Sequence, residues 1–312
     1  MKSIGFSTLM LSFLTGSAIA AQTDAGKAIE KPAPPTTAQV LANSSAHDWR
    51  QPDPANLLYL DLAGGGRVIM ELAPAFAPRH ADNIRALARE HYFDQLAILR
   101  VQENYVVQWG DPDGKREVGK AKRTLPAEFF RSATGLNFSW LPDGDVYAPE
   151  VGFVDGFAAA RNSETGQAWL AHCYGTLGVG RDMGADSGGG TELYVVIGHS
   201  PRHLDRNITV AGRVLQGMEK LTVLPRGTGA LGFYEKPEQY VSIQSLRVAA
   251  DLPEAEQVPL EVLRTDTPTW NAYVDTRRNR RDSWFLEPTG HVELCNVGVP
   301  VRAVTMLAKA GQ

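Results

Sequence analysis

Apolar residues along the chain alternate more often than they recur at helical spacing. Leu58, Leu60 and Leu62 alternate with Tyr59 and Asp61, and Val68, Met70 and Leu72 alternate with Arg67, Ile69 and Glu71. A two-residue period puts one set of side chains on one face of a half-buried strand. Gly64-Gly65-Gly66 between the two runs predicts a hairpin. Further strands are predicted over 96–101 and 105–109, separated by Gln102-Glu103-Asn104, and over 192–197, 208–214 and 241–248. Helical spacing appears at Ala81, Ile84, Leu87 and Ala88, shortly after Pro78, as helix starts prefer. A second short helix is predicted over 215–224. Regular strand–helix–strand units are absent from this pattern, which argues against a doubly wound parallel sheet. Residues 112–170 are dense in Gly, Pro, Asp and Asn and predict long loops, with one short element near 126–131.

The two ends differ from the centre. Lys2, an apolar stretch over 4–14 and Ala18-Ile19-Ala20 have the order of an export signal, so residues 1–20 are expected to be cleaved after Ala20 and the protein to be periplasmic. That apolar stretch is too short to span a bilayer, and no later segment reaches such a length. Residues 21–55 are rich in Ala, Pro, Thr, Ser and Asn and predict a flexible linker. A barrel-like domain is expected over 56–250, with an insertion at about 112–170. Residues 251–312 form a C-terminal extension in which Trp270, Tyr273, Trp284, Phe285 and Leu286 predict something ordered. Either an appendage packed on the main domain or a partner-binding surface fits.

Composition narrows the classes. The chain has 312 residues, 43% hydrophobic and 21% charged, with a formal net charge of −4. That is enough chain for a real core, and it lacks the basic field of most nucleic-acid binders. The two cysteines, Cys173 and Cys295, are too few for a disulfide framework or a zinc site of cysteines alone. After export, a disulfide and two separately buried thiols both fit.

The usual chemical templates fail. Gly188-Gly189-Gly190 is followed by strand-like residues and reads as a turn, without the Gly-Lys-Ser/Thr of a phosphate cradle. His199 and His203 are four apart, but Ser200-Pro201 breaks a helix between them, so no metal is expected. His172-Cys173 reads as structural, because neighbouring strand residues face opposite ways. No Gly-x-Ser-x-Gly elbow is present. Arg277-Arg278-Asn279-Arg280-Arg281 suits a solvated turn, with an anionic partner as the sharper alternative. One residue stands out: Arg100 sits in an apolar strand between Leu99 and Val101, and Gln108 lies in the next strand. An arginine there needs hydrogen bonds or a cleft.

At this point the sequence resembles a known family. Ile98-Leu99-Arg100-Val101-Gln102-Glu103-Asn104-Tyr105-Val106-Val107-Gln108-Trp109-Gly110-Asp111 resembles the cyclophilin signature Phe-His-Arg-Val, turn, Phe-Met-x-Gln-Gly-Gly-Asp. Gly66–Leu72, Asn83–Leu87, Tyr92-Phe93-Asp94 and Thr191–Val195 resemble further cyclophilin segments in the same order, followed by His203-Leu204-Asp205 and Val210–Val214. The match spans about 57–248. It implies a mainly β fold: a closed antiparallel β-barrel capped by two helices, with peptidyl-prolyl cis/trans isomerase activity and no cofactor. It implies that Arg100 is catalytic, that Tyr105, Val106, Tyr194 and Leu204 line a proline pocket, that Gln108, Gly180, Arg181 and Glu192 follow a peptide groove, and that His203 is at its rim.

The implied chemistry is simple. An X–Pro bond turns over a barrier of ~18–20 kcal/mol because its C–N bond is partly double. In the twisted transition state the prolyl nitrogen gains a lone pair, which a guanidinium donor binds better than it binds either planar form. The expected partners are proline-containing unfolded or exported polypeptides, acted on by a monomer without membrane insertion. Several residues depart from the family pattern: Ile98-Leu99 replace Phe-His, and Tyr105, Val106 and Tyr194 replace Phe, Met and Phe. Glu192 replaces Gln, Arg181 replaces Asn, and His203 replaces the rim Trp. The altered pocket keeps a second reading open, a cyclophilin-like binding module or chaperone with weak or no isomerase activity.

Overall fold

The structure, a computed structural model, describes residues 34–111 and 113–304. The expected signal segment 1–20 and the linker up to residue 33 lie outside the described residues.

Eight antiparallel strands close a barrel in the order Thr176–Val179, Leu193–Val196, Val106–Gly110, Ala97–Val101, Val241–Val248, Leu57–Leu62, Arg67–Leu72 and Val210–Gln216. The expected hairpin is present, with Leu58 opposite Met70 and Leu60 opposite Val68. Leu58, Leu60, Leu62, Val68, Met70 and Leu72 all point into the core, as alternation requires. Pro78–Arg89 is the expected helix. Its Ala81, Ile84, Leu87 and Ala88 close one end of the same core. The second helix is short, Met218–Thr222. Tyr59 and Ile69 were expected on the outer face, yet both are buried there with Ala249 and Leu260. Something covers the barrel's outside.

That cover corrects three expectations. First, the linker reading of 21–55 does not hold from Thr36 onward. Thr36 caps the helix Thr37–Ala42, and Trp49–Arg50 pairs with Leu260–Leu263, which in turn pairs with Val301–Ala303. Alanine and threonine carry no loop instruction of their own once Val40 and Trp49 have a surface to bury against. Second, residues 112–170 are not merely long loops. Arg131–Ser132, Ser139–Leu141, Glu150–Val154, Phe157–Asn162 and Gln167–Leu170 form a five-stranded antiparallel sheet. Its turns are tight and glycine-bearing, including Asp155-Gly156, where both residues have positive φ. The element expected near 126–131 is reduced to the edge strand at 131. Third, residues 251–304 are a packed part of the fold. Trp270 of the helix Pro268–Arg278 meets Phe153 edge-on at 4.8 Å.

The N-terminal segment, the insertion and the C-terminal segment thus share a second core of Val40, Trp49, Phe153, Trp169, Trp270 and Leu294, among others. Cys173 and Cys295 are joined, with Cα atoms 5.0 Å apart, so the disulfide alternative is the one realised. The arginine cluster sits at a helix end, with Arg278 on Asp143 and Arg281 on Asp275. Arg277 and Arg278 thus belong to the helix Pro268–Arg278, and only residues 279–281 lie beyond it.

The disulfide closes a sequence separation of 122 residues. Reduction, or the Cys173→Ser/Cys295→Ser pair, is expected to lower stability by about 2–4 kcal/mol, read as a lower urea midpoint. An unchanged midpoint would show that the second core holds without it.

Candidate active site

A bulge decides which way Arg100 points. Ile98 pairs with Trp109 and Arg100 pairs with Gln108, so one extra residue, Leu99, is accommodated between the two pairs. Without the bulge, the two-residue period would put Ile98 and Arg100 on the same, inner face. Ile98 and Val101 are instead fully buried, while Arg100 emerges on the outer face. There it begins a row of cross-strand neighbours: Arg100 beside Gln108, Gln108 beside Tyr194, Tyr194 beside Gly178.

Arg100 is held from several sides. Its Nε donates to the Leu231 carbonyl at 2.7 Å and its Nη1 to Gln108 Oε1 at 3.0 Å, while its Nη2 donates to Gln102 Oε1. The Tyr105 and Phe233 rings each lie 5.4 Å from the guanidinium carbon. Among the described residues no carboxylate pairs with it. These bonds use one N–H from each nitrogen, so each terminal nitrogen keeps one to offer. Burial lowers the guanidinium's pKa, which Tyr105 opposes, but an arginine starts so high that the charge stays.

Gln108 passes the order on. Its Nε2 donates to Glu192 Oε2 at 2.8 Å, which leaves Oε1 facing Arg100 and fixes the amide's orientation. Glu192 has a pKa above the usual carboxylate range. Burial is the main cause; the Gln108 bond opposes it, and the Asp182 and Asp111 charges add to it.

The apolar part of the groove is Val106, Tyr194 and Val196 packed with Tyr105 and Ile208. Arg100, Tyr105, Val106, Gln108, Gly180, Arg181, Glu192, Tyr194 and Leu204 all line one groove of ≈ 660 Å³. His203 is exposed next to Leu204 and is not in the lining. Arg181 is turned onto backbone carbonyls, donating from Nε to Asn207 O at 2.9 Å and from Nη1 to Asp182 O at 2.6 Å. No described residue of 112–170 lines the groove, although the Phe129 ring lies 5.7 Å from the Arg181 guanidinium carbon.

Sequence reasoning missed the wall that does line it: Leu231, Phe233 and Tyr240. This segment bonds to the bulged strand through Tyr234 N–H to Leu99 O and Gly227 N–H to Val101 O, both at 2.9 Å. Leu231 adopts φ +56°, rare for a leucine, and it is this residue's carbonyl that receives Arg100. At Gly232 a Cβ would come within 2.6 Å of Gln102 Cα, so the close approach needs glycine. The run of glycines at 227, 229 and 232 was the available signal. Gln102, read only as a turn residue, is a further direct partner of Arg100.

Among the described residues no cluster of three His, Cys, Asp or Glu side chains suits a metal ion. The arrangement offers hydrogen-bond donors and an apolar wall, the means to bind and polarise a peptide.

Comparison with known proteins agrees with this architecture. The profile of the family described as cyclophilin type peptidyl-prolyl cis-trans isomerase/CLD matches residues 58–248. The chain belongs to that family, whose members catalyse cis/trans isomerisation of peptidyl-prolyl bonds. A probable peptidyl-prolyl cis-trans isomerase of Brucella suis is 26% identical over 191 residues, covering 61% of this chain and 82% of that protein. Peptidyl-prolyl cis-trans isomerase B of Bacillus subtilis is 26% identical over 162 residues, covering 52% and 85% respectively. The crystal structure of cyclophilin AquaCyp293 from Hirschia baltica superposes with a TM-score of 0.67 at 24% identity, over 87% of this chain and 98% of that one. Its likeness in fold therefore runs well beyond the residues of the family profile.

Glu192 places a titratable charge in the groove. Above its raised pKa the carboxylate is ionised and favours peptides with Lys or Arg near the proline; below it the preference is lost. We expect a basic-over-acidic preference of about three- to tenfold in kcat/KM near neutral pH. It should fade at a pH above the ordinary glutamate range. Glu192→Gln should remove both the preference and its pH dependence, and an unchanged preference in that variant would refute the assignment.

Proposed function

We propose that this protein isomerises X–Pro bonds with Arg100 as the group that stabilises the twisted amide. The observation that supports this reading most directly is the bulge at Leu99. It takes a charged side chain out of the barrel interior and brings it, still hydrogen-bonded, to the edge of an apolar wall. Tyr105, Val106, Tyr194 and Leu204 are assigned to hold the pyrrolidine ring. Gln108 orients Arg100 and, with Gly180, Arg181 and Glu192, borders the peptide chain.

In this mechanism nothing is covalently attacked. The proline side of the bond stays against the apolar wall while the residue before it turns. As the amide loses planarity, the prolyl nitrogen acquires a lone pair that the free N–H on an Arg100 terminal nitrogen meets. A planar amide nitrogen has no such lone pair, so the bond forms only in the transition state and lowers the barrier. Because Leu231, Gln102 and Gln108 already hold the guanidinium, little is spent reorienting it.

We further propose that the substrates are proline-containing exported polypeptides and that the protein works in the periplasm. The signal-like order of residues 1–20 and the Cys173–Cys295 disulfide support this, since disulfides persist in oxidising compartments. Sequencing of the mature N-terminus from the exported fraction, expected at Ala21, tests it. A chain that retains Met1 and stays in the cytosol would rule it out.

Arg100→Ala is expected to reduce kcat/KM on a prolyl peptide by about 10²–10³-fold, with an unaltered urea midpoint. Arg100→Lys should recover little, because a single ammonium cannot satisfy Leu231, Gln102 and Gln108 while also reaching the substrate. If wild type and Arg100→Ala both run at the uncatalysed rate while an unfolded client still binds, the protein is a binding module instead.

A further inference from the structure

Behind the groove wall lies a buried polar chain that the proposed mechanism does not use. Tyr194 crosses directly over its cross-strand partner Gly178, where an added Cβ would meet the Tyr194 Cζ at 2.1 Å. The ring therefore reaches past the strand, and its hydroxyl lies 2.9 Å from Nε2 of His172. His172 is fully buried, and its Nδ1 lies 2.9 Å from Asp205 Oδ1, which also accepts the His172 backbone N–H at 2.9 Å. Asp205 Oδ2 accepts from Arg202 Nε at 2.6 Å, and Arg202 continues to Asp145 in a bidentate pair at 2.9 and 3.0 Å. Glu293 of the C-terminal segment lies 3.8 Å from the same guanidinium. Next in sequence to His172 is Cys173, the disulfide half that ties in the C-terminal segment.

Proton positions follow from the ends of this chain. Burial raises the Asp205 pKa, but the His172 bond and the Arg202 charge outweigh it, so the carboxylate is ionised and can only accept. His172 therefore donates from Nδ1 to Asp205, and its Nε2 shares the next hydrogen bond with the Tyr194 hydroxyl. The order hydroxyl, imidazole, carboxylate is the one that activates nucleophiles. Here burial pushes the Tyr194 hydroxyl far from ionising, and the residue is only 5% exposed. Such a chain fixes a ring rather than attacking a substrate.

We propose that His172 is a positioning residue of the prolyl groove: it holds the Tyr194 ring against the substrate and, through Asp205, Arg202 and Asp145, ties that ring to the turn between the insertion strands Ser139–Leu141 and Glu150–Val154. This rests on the reading of Tyr194 as a wall of the proline pocket. A phenylalanine at 194 would have the same ring without the tether. The hydroxyl and the buried histidine are thus parts of a single device.

A double-mutant cycle with Tyr194→Phe and His172→Phe in the full chain tests this, with KM and kcat read separately on a prolyl peptide. Each single variant is expected to raise KM about three- to tenfold with kcat nearly held. The double variant should be no worse than the poorer single one, since both remove the same contact. An unchanged KM in Tyr194→Phe overturns the proposal, as do effects that multiply in the double variant. Should His172→Phe fail to fold, Tyr194→Phe, which removes one oxygen, decides alone. If wild type proves no faster than Arg100→Ala, the catalytic reading has failed on its own. The dissociation constant of the same peptide, measured by titration, then replaces KM with the same expected ratios.

Discussion

The site depends on a single irregularity in a strand. A barrel strand has an inside and an outside, and a charged residue next to core residues is tolerable only if it points out. Ile98 and Val101 both serve the core, three positions apart, which strict alternation forbids. The extra residue at Leu99 resolves the conflict and leaves Arg100 facing the groove. Pairing with Val241–Val248 also stops here, at Ile98 opposite Val241, the first residue of that strand. The backbone freed beyond that point is taken up by the glycine-rich segment around 227–234. The bulge thus aims the arginine, and the segment around 227–234 bonds to the same stretch of strand and supplies the wall that holds it.

The second core answers a different problem. The outer faces of the strands Leu57–Leu62 and Arg67–Leu72 carry Tyr59, Ile69 and Glu71, which a solvated barrel would leave exposed. The C-terminal segment covers Tyr59 and Ile69. Glu71 is met by Arg50 at 2.6 Å from the N-terminal segment and by Arg213 at 3.2 Å. Three stretches distant in sequence therefore converge on one side of the barrel. None of them could bury Trp49, Trp169 or Trp270 alone. Covered by one another they form a core, and Cys173–Cys295 fastens it next to His172, which hydrogen-bonds Tyr194 of the groove wall.

How much of this could be read from sequence follows from the range of the forces involved. Alternation and helical spacing are local, so the barrel strands at 57–72, 97–110 and 241–248 and the helix at 78–89 were legible. So was the groove, because Arg100, Gln108, Glu192 and Tyr194 lie in stretches that resemble cyclophilins. The insertion sheet was not legible. Its strands are short and small-residue-rich, as in Phe157-Ala158-Ala159-Ala160, and they are strands because they pair with neighbours and pack on distant tryptophans. The same holds for Thr36–Arg50, whose composition suited a linker until Trp49 and Val40 found partners more than two hundred residues away. Leu231 and Gln102 were missed because their contribution is a backbone carbonyl and an amide placed by tertiary contact, which no period reports. His203, carried over by resemblance, proved to be exposed beside the lining.

The two hydrogen-bonded systems at the groove do different work. On one side, Glu192, Gln108 and Arg100 form a relay along the groove's edge whose last free donors lie on a residue that lines the groove. On the other, Asp145, Arg202, Asp205 and His172 form a buried relay that ends on the hydroxyl of Tyr194, the one member of that chain that lines the groove. Isomerisation needs both a donor fixed in advance and a wall against which half of the bond stays still while the other half turns. A mobile ring would hold the proline half less tightly in the planar and twisted forms alike, which weakens binding and leaves the barrier from the bound state nearly as it was. In the proposed mechanism, anchoring that ring through Asp145, in the turn between two insertion strands, gives the added segments a share in holding the proline, although no described residue of 112–170 lines the groove.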